Sequence, residues 1–277
     1  MEGVWKTAES SINTAYSSIH KLCHENEFTL NVTVPLIIML TVYWITSAIF
    51  TVLDLTGSPA SIVQFKIPEL SKTKYPRVTP YKLREVVLQV LINQTVVAVP
   101  VIYSCYLLRS RWGYDDGIVV PKLPRFIFDI VVQILTEEVF FYYSHRFLHH
   151  PPIYRRYHKK HHEWISPIGV SAIYCHPVEH VLSNVLPTFA GSVVAGCHVS
   201  SLWAWLTFAT FYGVVVHSGY HLPFTPTPEF HHFHHQKFNE NFGVAGILDW
   251  FHGTDKNFRK SQAYARNKVL LSLTPIR

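Results

Sequence analysis

Two stretches without a single charged residue, Leu30 to Leu53 and Val86 to Leu108, limit the architecture of this chain more than any other feature. Each exceeds the roughly 20 apolar residues that cross a bilayer, and a soluble core helix rarely runs so far without a charge. A third block, Phe126 to Ser144, is apolar apart from Asp129, Glu137 and Glu138. A fourth, Val181 to Val216, carries no Asp, Glu, Lys or Arg. As one helix it would be about 54 Å long at 1.5 Å per residue, too long for a bilayer, so a helical hairpin broken near Gly191 to Ser201 is expected. Charged residues make up 15% of the chain, against roughly 25% in soluble domains, and the deficit falls in blocks. The expected fold is an all-α, multi-pass membrane helix bundle with about four spans, one of them hairpin-like. Residues 1–125 form a membrane region with two spans, and residues 126–277 form a second, histidine-bearing domain.

Loop charge orients the bundle. Lys66, Lys72, Lys74, Arg77, Lys82 and Arg84 lie between the first two spans with few acids to oppose them, which assigns that loop to the cytosol. Arg109, Arg111, Lys122 and Arg125 then fall on the lumenal side, partly offset by Asp115 and Asp116. The polar, acidic N-terminus has no signal-peptide pattern, so the first apolar block acts as a signal anchor. Counting crossings puts the N-terminus in the lumen and the end of the third span, with His145, in the cytosol; the hairpin returns the chain to that side, so all four histidine motifs described next share the cytosolic face. The net charge of +6 has no nucleic-acid pattern, and Arg146, Arg155, Arg156, Lys159 and Lys160 read as a membrane-surface cluster. The four cysteines show neither metal nor redox spacing, and disulfides are not expected. The glycosylation sequon at Asn31 abuts the bilayer, and the one at Asn93 lies mid-span, so neither is expected to be used.

Sixteen of the 18 histidines lie between His145 and His252. Ten of them form four motifs at helical spacing: His145 and His149; His158, His161 and His162; His217 and His221; His231, His234 and His235. Residues three or four apart share a helix face, so each motif projects its imidazoles into one volume. Packing so many imidazoles together costs desolvation and mutual repulsion on protonation, and metal coordination removes both costs. Ten nitrogens suit two ions at about five each, with an open position on both. Gly219 makes a regular helix through His221 less secure. His176 and His180 are rival or supporting groups; Pro177 disfavours helix at His176, and one of the two is expected to support the site. His20, His24 and His198 read as isolated core or surface groups.

Without thiolate ligands or a His-Glu-x-x-His motif, a zinc protease has little support. Imidazole also suits iron, and an iron pair with open positions can use dioxygen against an unactivated C–H bond. Glu138 lies seven residues before His145, on its helical face, and is expected to hydrogen-bond a ligand ring from within the span. Glu137, Glu163, Glu179 and Asp249 are weaker candidates for the same role.

The stretch from Glu137 to Glu179, His217-Ser-Gly-Tyr and Leu248-Asp-Trp-Phe-His-Gly-Thr-Asp resemble the fatty acid hydroxylase (sterol desaturase) superfamily, in its methylsterol monooxygenase branch. The resemblance covers about the second half of the chain. It implies a multi-pass endoplasmic-reticulum oxygenase with two non-haem irons, dioxygen, and electrons relayed from NAD(P)H through a b-type cytochrome. It also implies oxidation of a 4-methylsterol methyl group. From the spacing of the motifs, the expected metal ligands are His145, His149, His158, His161, His162, His176, His217, His221, His231, His234 and His235, and Glu138 is the expected catalytic residue. Two positions depart from the pattern: His232 stands where the family usually has Asp, and His221 where methylsterol oxidases tend to have Asp. A fatty-acyl hydroxylase or desaturase is the alternative within the enzyme class; a non-catalytic metal-binding protein or metal transporter is the alternative outside it.

Overall fold

The computed structural model describes residues 2–67 and 79–276, with side chains from residue 10 onward. Among these residues the chain is helical and forms no β-strand, only two isolated bridges, Lys66 with Tyr220 and Pro223 with Leu270. Helix α1 spans Glu2–Leu22. Three further helices, α2 (Thr29–Thr56), α3 (Pro80–Trp112) and, later in the chain, Val199–Ser218, are long and apolar enough to cross a membrane. The basic residues Lys72, Lys74 and Arg77, on which the orientation of the first loop rests, lie outside the described residues.

Proline shapes the long helices. Pro35, Pro100 and Pro187 each follow a π turn, at Thr29–Thr33, Asn93–Val97 and His180–Val185. The proline ring cannot donate to the carbonyl one turn back and crowds it, and a π turn absorbs the mismatch. Helix α4 (Leu123–Leu148) is the third apolar block. Its acids keep it out of the set of candidate spans, and three of its polar side chains, Asp129, Gln133 and Glu138, are buried against neighbouring helices.

The fourth block is a hairpin, as its length requires. Helix α5 (Leu186–Ala195) ends at Gly196 in the left-handed conformation, φ +52°, and α6 (Val199–Ser218) starts with His198 as its N-cap. Helix α5 packs along α4, and α6 packs along α2. The first contact is close: a Cβ on Gly191 would sit 2.5 Å from the Gln133 backbone, so a small residue sets the approach of these helices.

The bundle is apolar outside and carries polar groups inside, as lipid solvation demands. Ile37, Ile45, Ile49 and Val52 of α2 are exposed, while Thr46, Ser47, Asn93 and Gln94 are buried. Asn31 is buried and accepts from the Arg109 guanidinium at 2.7 Å, and Asn93 donates to the carbonyls of Ile173 and Cys175 at 3.0 Å. Beyond α6 come α7 (Glu229–Lys237), α8 (Ile247–His252) and α9 (Gln262–Arg266), a helical cap. The Arg266 guanidinium reaches both oxygens of Glu229 at 2.6 and 3.1 Å, a buried two-point bond that locks α9 to the start of α7. The hairpin returns the chain to the end of the bundle where α4 finishes, and the cap closes over it.

Candidate metal centre

Four segments deliver imidazoles to one volume. His145 lies in the last turn of α4 and His149 is its C-cap. A π turn at Tyr154–His158 presents His158, and a tight turn at His161–Glu163 presents His161 and His162. His217 closes α6, and α7 supplies His231, His234 and His235. The negative ends of the α4 and α6 dipoles therefore lie beside the cluster and favour positive charge there.

The rings sort into two sets, each able to hold one metal ion: His145, His149, His158, His162 and His234, and then His161, His217, His231 and His235. In the first set four Nε2 atoms close a ring. His158–His149 is 2.9 Å, His149–His234 3.1 Å, His234–His162 3.2 Å and His162–His158 3.0 Å, with His145 at 3.2 Å from His158. In the second set His161–His217 is 3.4 Å, His217–His231 2.9 Å and His231–His235 3.1 Å. Nitrogens each about 2.1 Å from one ion and at right angles lie about 3.0 Å apart, so these edges are those of a coordination shell. Each His-x-x-His-His motif feeds both sets: His158 and His162 join the first and His161 the second, while His231 and His235 join the second and His234 the first.

The ring orientations support the same fit. The Nδ1–H groups of His145, His217 and His234 donate to the carbonyls of Phe242, Gly213 and Glu240, each at 2.7 Å. A carbonyl only accepts, so Nδ1 holds the proton and Nε2 turns its lone pair into the cluster. Lone pairs crowded at 3 Å repel one another, and a cation between them reverses that. Burial first, and neighbouring imidazoles second, hold His158, His162, His231, His234 and His235 well below the ordinary imidazole value; burial and His217 do the same for His161. The rings are thus neutral, as ligation requires.

Carboxylates hold the cluster from outside. Glu179 Oε1 lies 2.9 Å from His158 Nδ1, with both side chains buried. Glu138 does not reach an imidazole: its carboxylate accepts from the backbone N–H groups of Val244, Ala245 and Leu248 at 2.7–3.0 Å. Asp249 accepts from the N–H groups of Phe242 and Gly243. Together they fix the 242–248 loop whose Phe242 carbonyl orients His145, so Glu138 acts on a ring at one remove. A Cβ on Gly243 would lie 2.8 Å from both carboxylates, which leaves room there for glycine alone.

Two of the expected ligands fall outside the cluster. Gly219, φ +72°, ends α6 after Ser218, so His221 is not carried one turn beyond His217. Its backbone N–H donates to Phe65, and its Nε2 pairs with the Lys268 carbonyl at 2.8 Å. His176 precedes Pro177 in extended conformation, and its Nδ1 caps the following turn by accepting from Val178 N–H at 3.1 Å. The expected five and five nitrogens are therefore five and four.

The sets open in different directions. An apolar cavity runs between α2, α3, α4, α5 and α6 and reaches His217 and His231 of the four-nitrogen set. A surface groove with the basic side chains Arg146, Arg155 and Lys159 on its wall reaches His149 of the five-nitrogen set.

The fatty acid hydroxylase family model matches residues 130–254, which hold all nine clustered histidines. Over 234 residues the chain is 44% identical to "Fatty acid hydroxylase domain-containing protein 2" of Macaca fascicularis, covering 84% of this chain and 69% of that protein. The chain belongs to the fatty acid hydroxylase family. It is also 32% identical over 235 residues to "Fatty acid hydroxylase ahd1" of Mycosarcoma maydis, covering 84% of this chain and 60% of that protein. With "Methylsterol monooxygenase 1-3" of Arabidopsis thaliana the identity is 31% over 230 residues, 76% of this chain and 77% of that one. No solved structure matches. Family membership makes the chain an oxidoreductase of membrane lipids, and iron is the metal typical of the family.

Proposed function

We propose that this chain hydroxylates a methyl group of a sterol, the oxidation of a 4-methylsterol in sterol biosynthesis, with two non-haem irons, dioxygen, and electrons passed from NAD(P)H through a b-type cytochrome. The observation that carries the reading is the cavity between membrane helices, which ends on His217 and His231 of the set that leaves its ion more open positions. A rigid apolar substrate enters such a space from the bilayer without passing through water. The methylsterol monooxygenase among the relatives is consistent with a sterol occupant.

Activation of dioxygen against an unactivated C–H bond is the chemistry the iron pair would supply when bound. The nine histidines would hold the irons. The Phe242, Gly213 and Glu240 carbonyls keep the Nδ1 protons of His145, His217 and His234 in place, so Nε2 stays free to ligate. The wall formed by Val214, Val216 and Phe141 keeps water from the reacting carbon. The basic rim of the outer groove suits an acidic electron donor approaching the five-nitrogen set. This reading puts the chain in the endoplasmic-reticulum membrane with the cluster facing the cytosol.

The test pairs metal analysis of the purified protein with sterol profiles of cells that lack their own methylsterol oxidase. About two irons per chain and disappearance of accumulated 4-methylsterols are expected. Persistence of those sterols, together with turnover of an acyl lipid, would replace the sterol reading with a fatty-acyl hydroxylase or desaturase.

A further inference from the structure

His180 is buried to 3% exposure, and neither of its ring nitrogens has a hydrogen-bond partner. It is not one of the nine converging rings. Its side chain lines the same cavity that ends on His217 and His231. A buried imidazole with both nitrogens unpaired carries the desolvation penalty of a donor and an acceptor together. A partner that both donates and accepts removes both penalties, and a hydroxyl is the smallest group that does so.

The rest of the wall narrows the choice. No Lys or Arg lines the cavity, and Glu137 does, with Thr188 donating to its Oε1 at 3.2 Å. A carboxylate or phosphate held at His180 would have no lysine or arginine beside it, a costly arrangement for an anion in an apolar enclosure. A plain acyl chain would leave His180 unpaired. From these observations we infer that His180 is the polar handle of the substrate cavity and takes the hydroxyl of a neutral lipid alcohol, with the apolar body of that lipid filling the rest of the cavity. The inference rests on the reading of the cavity as the substrate site, and it identifies the residue that tells an alcohol from an ether or an acid.

Binding without turnover tests it. Metal-loaded protein in lipid nanodiscs, kept free of oxygen and reductant, is titrated with two radiolabelled pairs: a 4-methylsterol and its methyl ether, and a saturated long-chain alcohol and its methyl ether. The wild-type chain is expected to bind at least one alcohol on the order of tenfold tighter than its ether, the scale of one hydrogen bond in a buried site. His180→Phe, which keeps a flat ring and removes both nitrogens, should bring alcohol and ether to about equal affinity, and His180→Gln should restore part of the preference. Metal content should be unchanged in both variants. An undiminished preference in His180→Phe, loss of metal from either variant, equal binding of alcohol and ether by the wild type, or binding of none of the four probes would each overturn the handle. If only the long-chain pair shows the His180-dependent preference, the sterol reading fails and the handle stands. If both pairs bind the wild type and neither alcohol is preferred over its ether, the handle fails and the sterol reading survives.

Discussion

The five-nitrogen and four-nitrogen sets draw on the same motifs yet have opposite surroundings. The first closes a ring of four nitrogens with a fifth beside it, and His149 at its edge is half-buried beneath a basic groove. The second has one donor fewer, all four of its rings are buried, and it meets an apolar cavity. On the proposed function, the shell short of ligands next to the apolar cavity is the one for chemistry, and the fuller shell beneath the basic groove is the one for receiving electrons. The division comes from where the segments meet: in each His-x-x-His-His motif the i and i+4 rings join one set and the i+3 ring the other.

The largest effects should fall on the poorer set. His231→Ala leaves it three donors, so the purified protein should lose about one ion per chain and its activity should fall to background. His149→Ala leaves the richer set four donors, as many as its neighbour has, and should retain both ions with a smaller loss of activity. Metal counting by mass spectrometry on both variants decides; equal metal loss would contradict the asymmetry.

Acid comes next. The rings of both sets have values depressed from 6.5 by burial and by one another. In metal-stripped protein the unfolded chain therefore takes up protons first as the pH falls. The stability attached to these neutral rings is fully present above about 6.5 and declines below it, towards the depressed folded values. Thermal melts of stripped protein should drop steadily from pH 7 to 5.5, while loaded protein should hold until protons displace the metal. A flat profile for the stripped protein would mean that the rings are not packed as described.

Glu179 separates the sets more gently, because its carboxylate touches His158 of the five-nitrogen set and no ring of the other. Glu179→Gln should weaken metal binding by about 10- to 100-fold, the usual cost of removing a carboxylate behind a ligating histidine. The loss should be confined to one of the two ions in a chelator titration. Uniform weakening of both would show that Glu179 supports the fold and not one ring.

Much of this was legible beforehand, for identifiable reasons. Charge-free blocks announced the membrane helices, and the excess length of Val181 to Val216 announced the hairpin that Gly196 turns. Helical spacing pointed to nine of the converging imidazoles, because i, i+3 and i+4 geometry is local. What spacing could not carry was contact between distant segments. Glu138 shares the face of His145, yet it is claimed by the backbone of a loop more than 100 residues away. The division of one motif between two ions was equally hidden, since it depends on where four separate segments meet. His180 stood in the sequence as a rival or supporting group, and only the fold shows that it lies outside the nine converging rings and among the residues lining the cavity.

The smallest expected effect is also the sharpest test of what spacing alone can say. His176 and His221 both stand at ligand-like positions, and local backbone features remove both: Pro177 fixes His176 as a cap, and Gly219 ends α6 before His221. His176→Ala and His221→Ala should therefore retain both ions, with stability lowered by about 0.5–2 kcal/mol through loss of a turn cap or one hydrogen bond. Metal content and thermal melts measured together are decisive, because a true ligand would lose metal first and a capping group loses stability alone. If His221→Ala releases an ion, the second set has five donors in the loaded protein, and the contrast between a fuller and a poorer shell disappears.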